Sequence, residues 1–343
     1  MRGLVYEGDK TLIVRELPMP VINSGEVLIR VAYTGICGSD LLIWNGGYPR
    51  VKPPVTIGHE FSGVIEAVEG DVSALKPGDR VVVEPLMTCG QCAACTSGEY
   101  NLCRKLGLIG IDTDGGMAQY VKASADKVIR IPDSVTLADA ALVEPLAVGV
   151  HMVEQSGLQQ GQTALVVGGG PIGLIAASIA KLRGAKVYIS EINPFRIAKA
   201  TELGFEVINP QETNVVEFIR SVTEDDGAHV SFEVTGTSFG LTDCIEAAGT
   251  KGTVLIAGMA KKHATVDTYK ILAKELNVIG SRVYKIEDFH KALQLIESGQ
   301  FAPSKFVSLT LTLDQVVEDG FVATENGAPV VKIIVDLQKE NSL

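Results

Sequence analysis

Short runs of β-branched and apolar residues, cut by Gly, Pro and Asp, fill the first third of the chain. Residues 11–14, 26–32 and 80–83 read as strands, and the Lys-Pro-Gly-Asp stretch at 76–79 is a turn between such strands. The pattern predicts a β-rich, barrel-like unit. Near Glu144 the period changes. Residues 137–155 carry a helical pattern, with Pro145 near a helix start or kink. Strand and helix patterns then alternate: strand 163–167, helix 172–182 stopping at Gly184, strand 186–190, helix 194–203 stopping at Gly204, then strands at 230–234, 253–257 and 278–280. Strands separated by single helices predict a parallel, doubly wound α/β sheet. A helix over 287–297 leads to a β-like tail whose last strand, 330–335, is expected to rejoin the first unit. The expected division is 1–147 with 290–343 for the β-rich domain and 148–289 for the doubly wound one. The chain shows no internal repeat.

A chain of 343 residues suits two domains, each able to bury a core. Hydrophobic residues at 46% and charged residues at 21% make an ordinary globular composition. The 36 glycines are not periodic, which excludes collagen and low-complexity readings. A net charge of −11 without any basic stripe excludes nucleic acid as a partner. There is no apolar run before a small-residue cleavage site at the N-terminus, and no stretch of about 18 apolar residues, so neither a signal peptide nor a membrane span is expected. The expected compartment is the cytoplasm. Thiols stay reduced there, and clustered cysteines then read as metal ligands before disulfides.

After the strand at 163–167 comes Gly168-Gly-Gly170-Pro-Ile-Gly173 and then a helix, the strand–turn–helix setting that a G-x-G-x-x-G motif requires. Gly168 allows the tight turn, Gly170 lets a pyrophosphate approach the backbone, and Gly173 lets helix and strand pack closely. The helix N-terminus, with Pro171 and Ile172, offers free N–H groups to phosphates. Glu191, eighteen residues after Gly173, ends the second strand; a carboxylate there accepts both ribose hydroxyls of NAD and repels the 2′-phosphate of NADP. Arg196 either stacks on the adenine or softens that discrimination. Thr235, after the strand at 230–234, joins the cofactor-binding candidates. The bland alternative is a glycine-rich turn that holds nothing.

Cys89, Cys92, Cys95 and Cys103 are spaced C-x2-C-x2-C-x7-C. Four thiolates on a short loop can close around one tetrahedral zinc with no open position, which makes a structural site. Iron–sulfur ligation is the rival. Zinc is favoured because the chain already carries a site for a hydride carrier.

A second set is dispersed. Cys37 lies in Gly35-Ile-Cys-Gly-Ser-Asp40, His59 lies between Gly58 and Glu60, and Glu144 precedes Pro145. One thiolate, one imidazole and one carboxylate make a three-ligand zinc site with a fourth position for water or substrate. Zinc there polarises the substrate oxygen and lowers its pKa. Taken singly, each piece has an ordinary explanation: a buried cysteine packs as a small apolar residue, a lone histidine satisfies a local hydrogen bond, and Glu144 is a helix-start carboxylate.

These stretches together resemble the zinc-containing medium-chain dehydrogenases. Gly35-Ile-Cys-Gly-Ser-Asp40, Gly58-His-Glu-Phe-Ser-Gly63, Gly78-Asp-Arg-Val-Val-Val83, the four cysteines, Val143-Glu-Pro145 and the glycine turn run in the family's order over essentially the whole chain. Glu144 as third ligand, where simple alcohol dehydrogenases usually have cysteine, points to the sorbitol, butanediol and threonine dehydrogenase branch. The C-terminal stretch from Leu313-Asp-Gln-Val-Val-Glu-Asp-Gly-Phe321 through Val331-Lys-Ile-Ile-Val335 is similar to butanediol dehydrogenases. The resemblance implies a Rossmann doubly wound parallel sheet plus a β-rich GroES-like catalytic domain, with the active site in the cleft between them.

It further implies a catalytic zinc on Cys37, His59 and Glu144, with Glu60 beside the metal and able to exchange with water. Ser39 would hydrogen-bond the substrate hydroxyl, and Asp40 would buttress the site. Arg282 would reach the substrate or a bound water; its alternative is a surface cation at a strand end. Two positions depart from the pattern. Leu42 stands where many relatives carry the histidine that ends the proton path, and Glu60 with a water chain is the expected substitute. Ile43 stands where sorbitol dehydrogenases tend to have tyrosine, and Trp44 and Tyr48 are nearby. The expected activity is hydride transfer from a secondary alcohol of a small diol or polyol to NAD, with one catalytic and one structural zinc, in a homodimer or homotetramer. The alternatives are an L-threonine 3-dehydrogenase and a non-catalytic dinucleotide-binding protein.

Overall fold

The computed structural model describes residues 1–72, 74–260 and 262–339. The chain forms two compact units, Met1–Glu144 together with the chain from Lys285 on, and Pro145–Tyr284.

In the first unit the strand Glu26–Ile36 is buried along nearly its whole length because both its edges are paired. One edge takes Glu60–Val68. The other takes Tyr120–Ser124 against residues 26–30 and Lys332–Asp336 against residues 33–36. The sheet runs on through Arg80–Val83 to Val128–Arg130 on one side and to Val307–Thr312 on the other. A smaller sheet holds Thr11–Glu16, Arg2–Gly8 and Val55–Thr56. The C-terminal chain thus returns to the N-terminal sheet.

The helical pattern at 137–155 becomes two helices. Leu137–Ala140 is capped by Thr136, whose side chain accepts from Asp139 N. Val143–Ser156 follows, with Pro145 in its first turn, where a missing N–H costs no helical bond.

The second unit is built on six parallel strands. Their spatial order is Glu206–Ile208, Lys186–Ser190, Thr163–Val167, Ala228–Glu233, Ala248–Ile256 and Asn277–Gly280. Counted along the chain this is 3-2-1-4-5-6, and the order reverses between Thr163–Val167 and Ala228–Glu233. A crevice at the carboxyl ends of such a pair is where open α/β sheets bind ligands. Thr163–Val167 is buried at every position, as a central parallel strand covered on both faces must be. Leu165, Ile219, Ala228, Cys244 and Val254 form part of the core beneath it. Asn193, Asn214 and Thr237 cap the following helices by accepting backbone N–H groups, so each strand-to-helix turn is fixed locally. Among the described residues no helix is long and apolar enough to cross a membrane.

Candidate active site

Cys37 follows directly on the end of strand Glu26–Ile36 and stands before the helix Gly38–Trp44. Its backbone N–H donates to Asp40 Oδ2 at 2.8 Å, which fixes the turn between strand and helix. His59 and Glu60 arrive from the neighbouring strand, whose first residue is Glu60. The approach to His59 is shaped by glycine. Gly58 takes φ +101, and a Cβ there would stand 2.9 Å from Met117 N. Gly116 N and Met117 N donate to Gly58 O and Ile57 O, clamping this segment on its neighbour. One donor atom each from Cys37, His59 and Glu60 then lies within 4.8 Å of the others.

Around this set the polar groups are buried and mutually charged. Asp40 is fully buried, and its Oδ1 lies 3.7 Å from His59 Nδ1. Ser39 Oγ lies 3.2 Å from His59 Nε2. Burial opposes a charge on His59, but Asp40, Cys37 and Glu144 overrule it and hold the imidazole's proton well above the ordinary range. Burial raises the Asp40 carboxyl, against the pull of His59 and of the Cys37 N–H. A site in which a thiol, a histidine and two carboxyls crowd this closely, with Glu144 near enough to act by its charge, fits a divalent cation, which would replace the histidine proton.

The placement of the expected residues is uneven. Cys37, His59 and Glu60 converge, with Ser39 and Asp40 on the histidine. Glu144 is buried in the first turn of Val143–Ser156 and close enough to raise His59 by its charge, yet it is not a member of the converging set. Glu60 occupies that place instead, because it follows His59 directly and sits at the start of the same strand. Arg282 lies in the other compact unit, exposed, two residues beyond the strand Asn277–Gly280. Sequence reasoning missed Lys332, a buried lysine ion-paired with Glu60. Its signal was available: a cation in the middle of the apolar run 330–335.

The four cysteines also meet. The Sγ separations are 3.5 Å for Cys92–Cys95 and Cys89–Cys103, and 4.0 Å for Cys89–Cys95 and Cys92–Cys103. A tetrahedron with zinc–sulfur bonds of about 2.3 Å has edges of about 3.8 Å. The set therefore fits a single ion, whereas a polynuclear iron–sulfur core would have to hold the thiolates wider apart. Backbone N–H groups of Arg104 and Cys95 bring the Cys92 thiol down to about 6, while burial and the Cys92 neighbour push Cys95 up to about 11. Four thiolates at this distance need a cation to ionise together. The lobe is anchored by Tyr100, whose hydroxyl donates to the buried Glu84 at 2.7 Å and accepts from Ile286 N.

In the second unit the glycine turn lies at the reversal of strand order. Gly168 takes φ +113, and its position faces the Thr235 side chain: a Cβ there would stand 2.9 Å from Thr235 Cγ2. A Cβ at Gly173 would collide with Gly168 O, so the helix can pack this close only without one. A Cβ at Gly170 would meet only the Arg196 guanidinium, at 3.8 Å, and Gly170 caps the helix Pro171–Leu182, with Pro171 at its first position and Ile172 and Gly173 in its first turn. Glu191 accepts from Gly169 N at 2.7 Å and from Ile192 N and Asn193 N at 2.8 Å, and Arg196 Nη1 lies 3.8 Å from it. The acidic residue thus also ties the turn to the second strand. Thr235 N donates to the buried Glu233 carboxylate at 2.8 Å, as does its hydroxyl, and Gly236 N does so at 2.9 Å.

Two family models match the chain, an alcohol dehydrogenase GroES-like domain over residues 23–133 and a zinc-binding dehydrogenase domain over 171–298. Among curated proteins it is 36% identical over 336 residues to 2-dehydro-3-deoxy-L-galactonate 5-dehydrogenase of Pseudoalteromonas atlantica, with 98% of both chains covered. It is 34% identical to sorbitol dehydrogenase of Bacillus subtilis, over 92% of this chain and 91% of that one. Among solved structures, 2R,3R-butanediol dehydrogenase from Bacillus subtilis superposes with a TM-score of 0.92 at 34% identity, covering 98% of this chain and 99% of that one.

Proposed function

The chain belongs to the zinc-containing medium-chain alcohol dehydrogenase family, and from that premise we propose that it oxidises a secondary alcohol of a small diol or polyol with NAD. The observation that carries this reading is the convergence of a half-buried Cys37 with the buried His59 and Glu60 among charged groups. A thiolate, an imidazole and a carboxylate suit zinc and leave a coordination position open. Bound zinc would polarise the substrate oxygen and lower its pKa, and bound NAD would take the hydride.

Ser39 stands beside His59 and would hold the substrate hydroxyl by a hydrogen bond. Leu42 offers no proton acceptor, so the proton would leave past Glu60 through water. Glu144, buried nearby, would add negative charge to the metal environment or exchange with Glu60 as ligand. Arg282 would serve as a substrate contact. The four cysteines would hold a second, structural zinc. In the glycine turn the pyrophosphate would lie on Gly170 and the N-terminus of Pro171–Leu182, with Thr235 beside Gly168. Glu191 already accepts three backbone N–H groups and retains about one of its four acceptor sites, on Oε2, for a ribose hydroxyl, and its charge favours NAD over NADP.

The exposed sheet edge Asn277–Gly280 and the exposed Tyr269 and Leu272 support a homo-oligomer. The clustered thiols suit the cytoplasm. An L-threonine dehydrogenase would need partners for an ammonium and a carboxylate, and the three relatives above are named for a sugar acid, a polyol and a diol. A purely dinucleotide-binding protein has no need of an open donor set. The test is NADH formation by the purified protein against vicinal diols, sugar alcohols, a deoxy sugar acid and L-threonine, with NAD and NADP in parallel. Turnover of a diol or polyol with NAD is expected. Turnover of L-threonine alone, or none with any of these substrates, would sink the assignment.

A further inference from the structure

A lysine is rarely buried unless its charge is paired. Lys332 opens the strand Lys332–Asp336, which is buried at every position, and is itself 4% exposed. Its Nζ donates to Ile36 O at 2.9 Å and forms an ion pair with Glu60 Oε2. Glu60 is a member of the converging donor set. The pair therefore links a side chain with no place in the activity described above to a prospective metal ligand.

The sheet explains how the two meet. Strand Glu26–Ile36 lies between their strands, and in the register Gly35 faces Glu60 on one edge and Ile334 on the other. Adjacent strands lie about 4.8 Å apart, so side chains from strands two apart do not ordinarily touch. Here they touch because the intervening position is bare. A Cβ at Gly35 would collide with Glu60 Oε2 and stand 3.2 Å from Lys332 Cε. Gly35 does not adopt a left-handed conformation, so its glycine is explained by this close approach and not by the backbone.

We propose that Lys332 is a positioning residue that competes with the metal for the Glu60 carboxylate, holding it at the edge of the donor set so that a coordination position stays free for substrate. The inference rests on the metal reading above. A carboxylate shared with an ammonium is a weaker ligand than an unshared one. The ammonium is tethered by Ile36 O and cannot follow Glu60 inward. Without it, Glu60 would have the metal as its strongest partner and would bind permanently.

The test is zinc release into a chromogenic chelator, with the release seen in Cys37→Ser subtracted because that variant keeps the four-cysteine site. In Lys332→Met, release is expected to slow about tenfold, the scale on which outer partners tune metal affinity. The visible bands of the cobalt(II)-substituted protein should shift as a carboxylate joins the metal. Gly35→Ala keeps the lysine but displaces Glu60 from it, and should produce the same slowing and the same shift; it carries the test if Lys332→Met fails to fold. In a Glu60→Gln background, Lys332→Met should change neither readout. Unchanged or faster release in folded Lys332→Met and Gly35→Ala overturns the inference. A wild-type protein that holds no more metal than Cys37→Ser overturns the metal reading itself.

Discussion

Cys89, Cys92, Cys95 and Cys103 lie within fifteen residues and need only a short loop to meet, whereas Cys37 follows one strand and Glu60 begins another, and the two strands must pair before their side chains converge. The first cluster is homogeneous, all thiol, with backbone N–H groups turned onto sulfur: Cys89 N donates to Cys103 Sγ at 3.4 Å and Lys105 N at 3.3 Å. The second is mixed, and two of its donors lean on other polar groups: His59 on the buried Asp40 and the half-buried Ser39, Glu60 on the buried Lys332. A closed set of like donors has the form of a staple. An unequal set, with carboxylates that can be traded, has the form of a reaction site. The comparison says that damage to one should appear as lost stability and damage to the other as lost chemistry.

Cys37→Ser should break the comparison if anything does. It removes one donor while leaving strand Glu26–Ile36 and the Asp40 cap in place. Loss of the metal should cost several kcal/mol of transition-state stabilisation, about a thousandfold or more in kcat/KM. The thermal transition and the binding of NAD should be little altered. Full activity in this variant would falsify the assignment of the dispersed cluster as the reaction centre.

The converse variant is Cys103→Ser, at a buried position of the compact loop. Here the expected loss is about 3 kcal/mol of stability, seen as a lower Tm and as proteolysis between residues 89 and 107. Molecules that remain folded should turn over within a few-fold of the parent. The lobe is tied to Glu84 through Tyr100, so loosening should spread to that anchor. An unchanged Tm would mean that the four thiols do not act as a staple.

The same contrast governs what was legible in the sequence. The four cysteines and the glycine turn could be read directly, because spacing along the chain nearly fixes position in space for a short loop or a strand–turn–helix unit. Gly168, Gly173 and Glu191 lie where that spacing put them. The parallel sheet was legible for a related reason, since each helix between two strands enforces a crossover. The dispersed site was legible only in its parts. That Glu60 stands in the converging set and Glu144 outside it depends on which donor follows His59 onto the paired strand. Lys332 lies 272 residues from Glu60, and only the register on both edges of Glu26–Ile36 brings them together. The helix pattern at 137–155 gave its extent but not its interruption, because the stop after Ala140 lies in an apolar stretch without glycine.

Asp40→Asn gives the smallest and sharpest test. Asp40 does two things at once: Oδ2 accepts from Cys37 N at 2.8 Å, and Oδ1 faces His59 Nδ1 at 3.7 Å. Asparagine keeps the size and one carbonyl oxygen, so the turn after the strand can persist while the charge on the histidine side disappears. If the dispersed cluster depends on such outer groups, zinc affinity measured by competition should fall about tenfold with little change in Tm, because an imidazole without its carboxylate is a poorer ligand. If affinity holds and Tm falls, Asp40 serves the helix cap alone. The Cys37–His59–Glu60 set would then be as self-sufficient as the four cysteines, and the contrast between the two clusters would rest on donor chemistry without any help from the sheet around them.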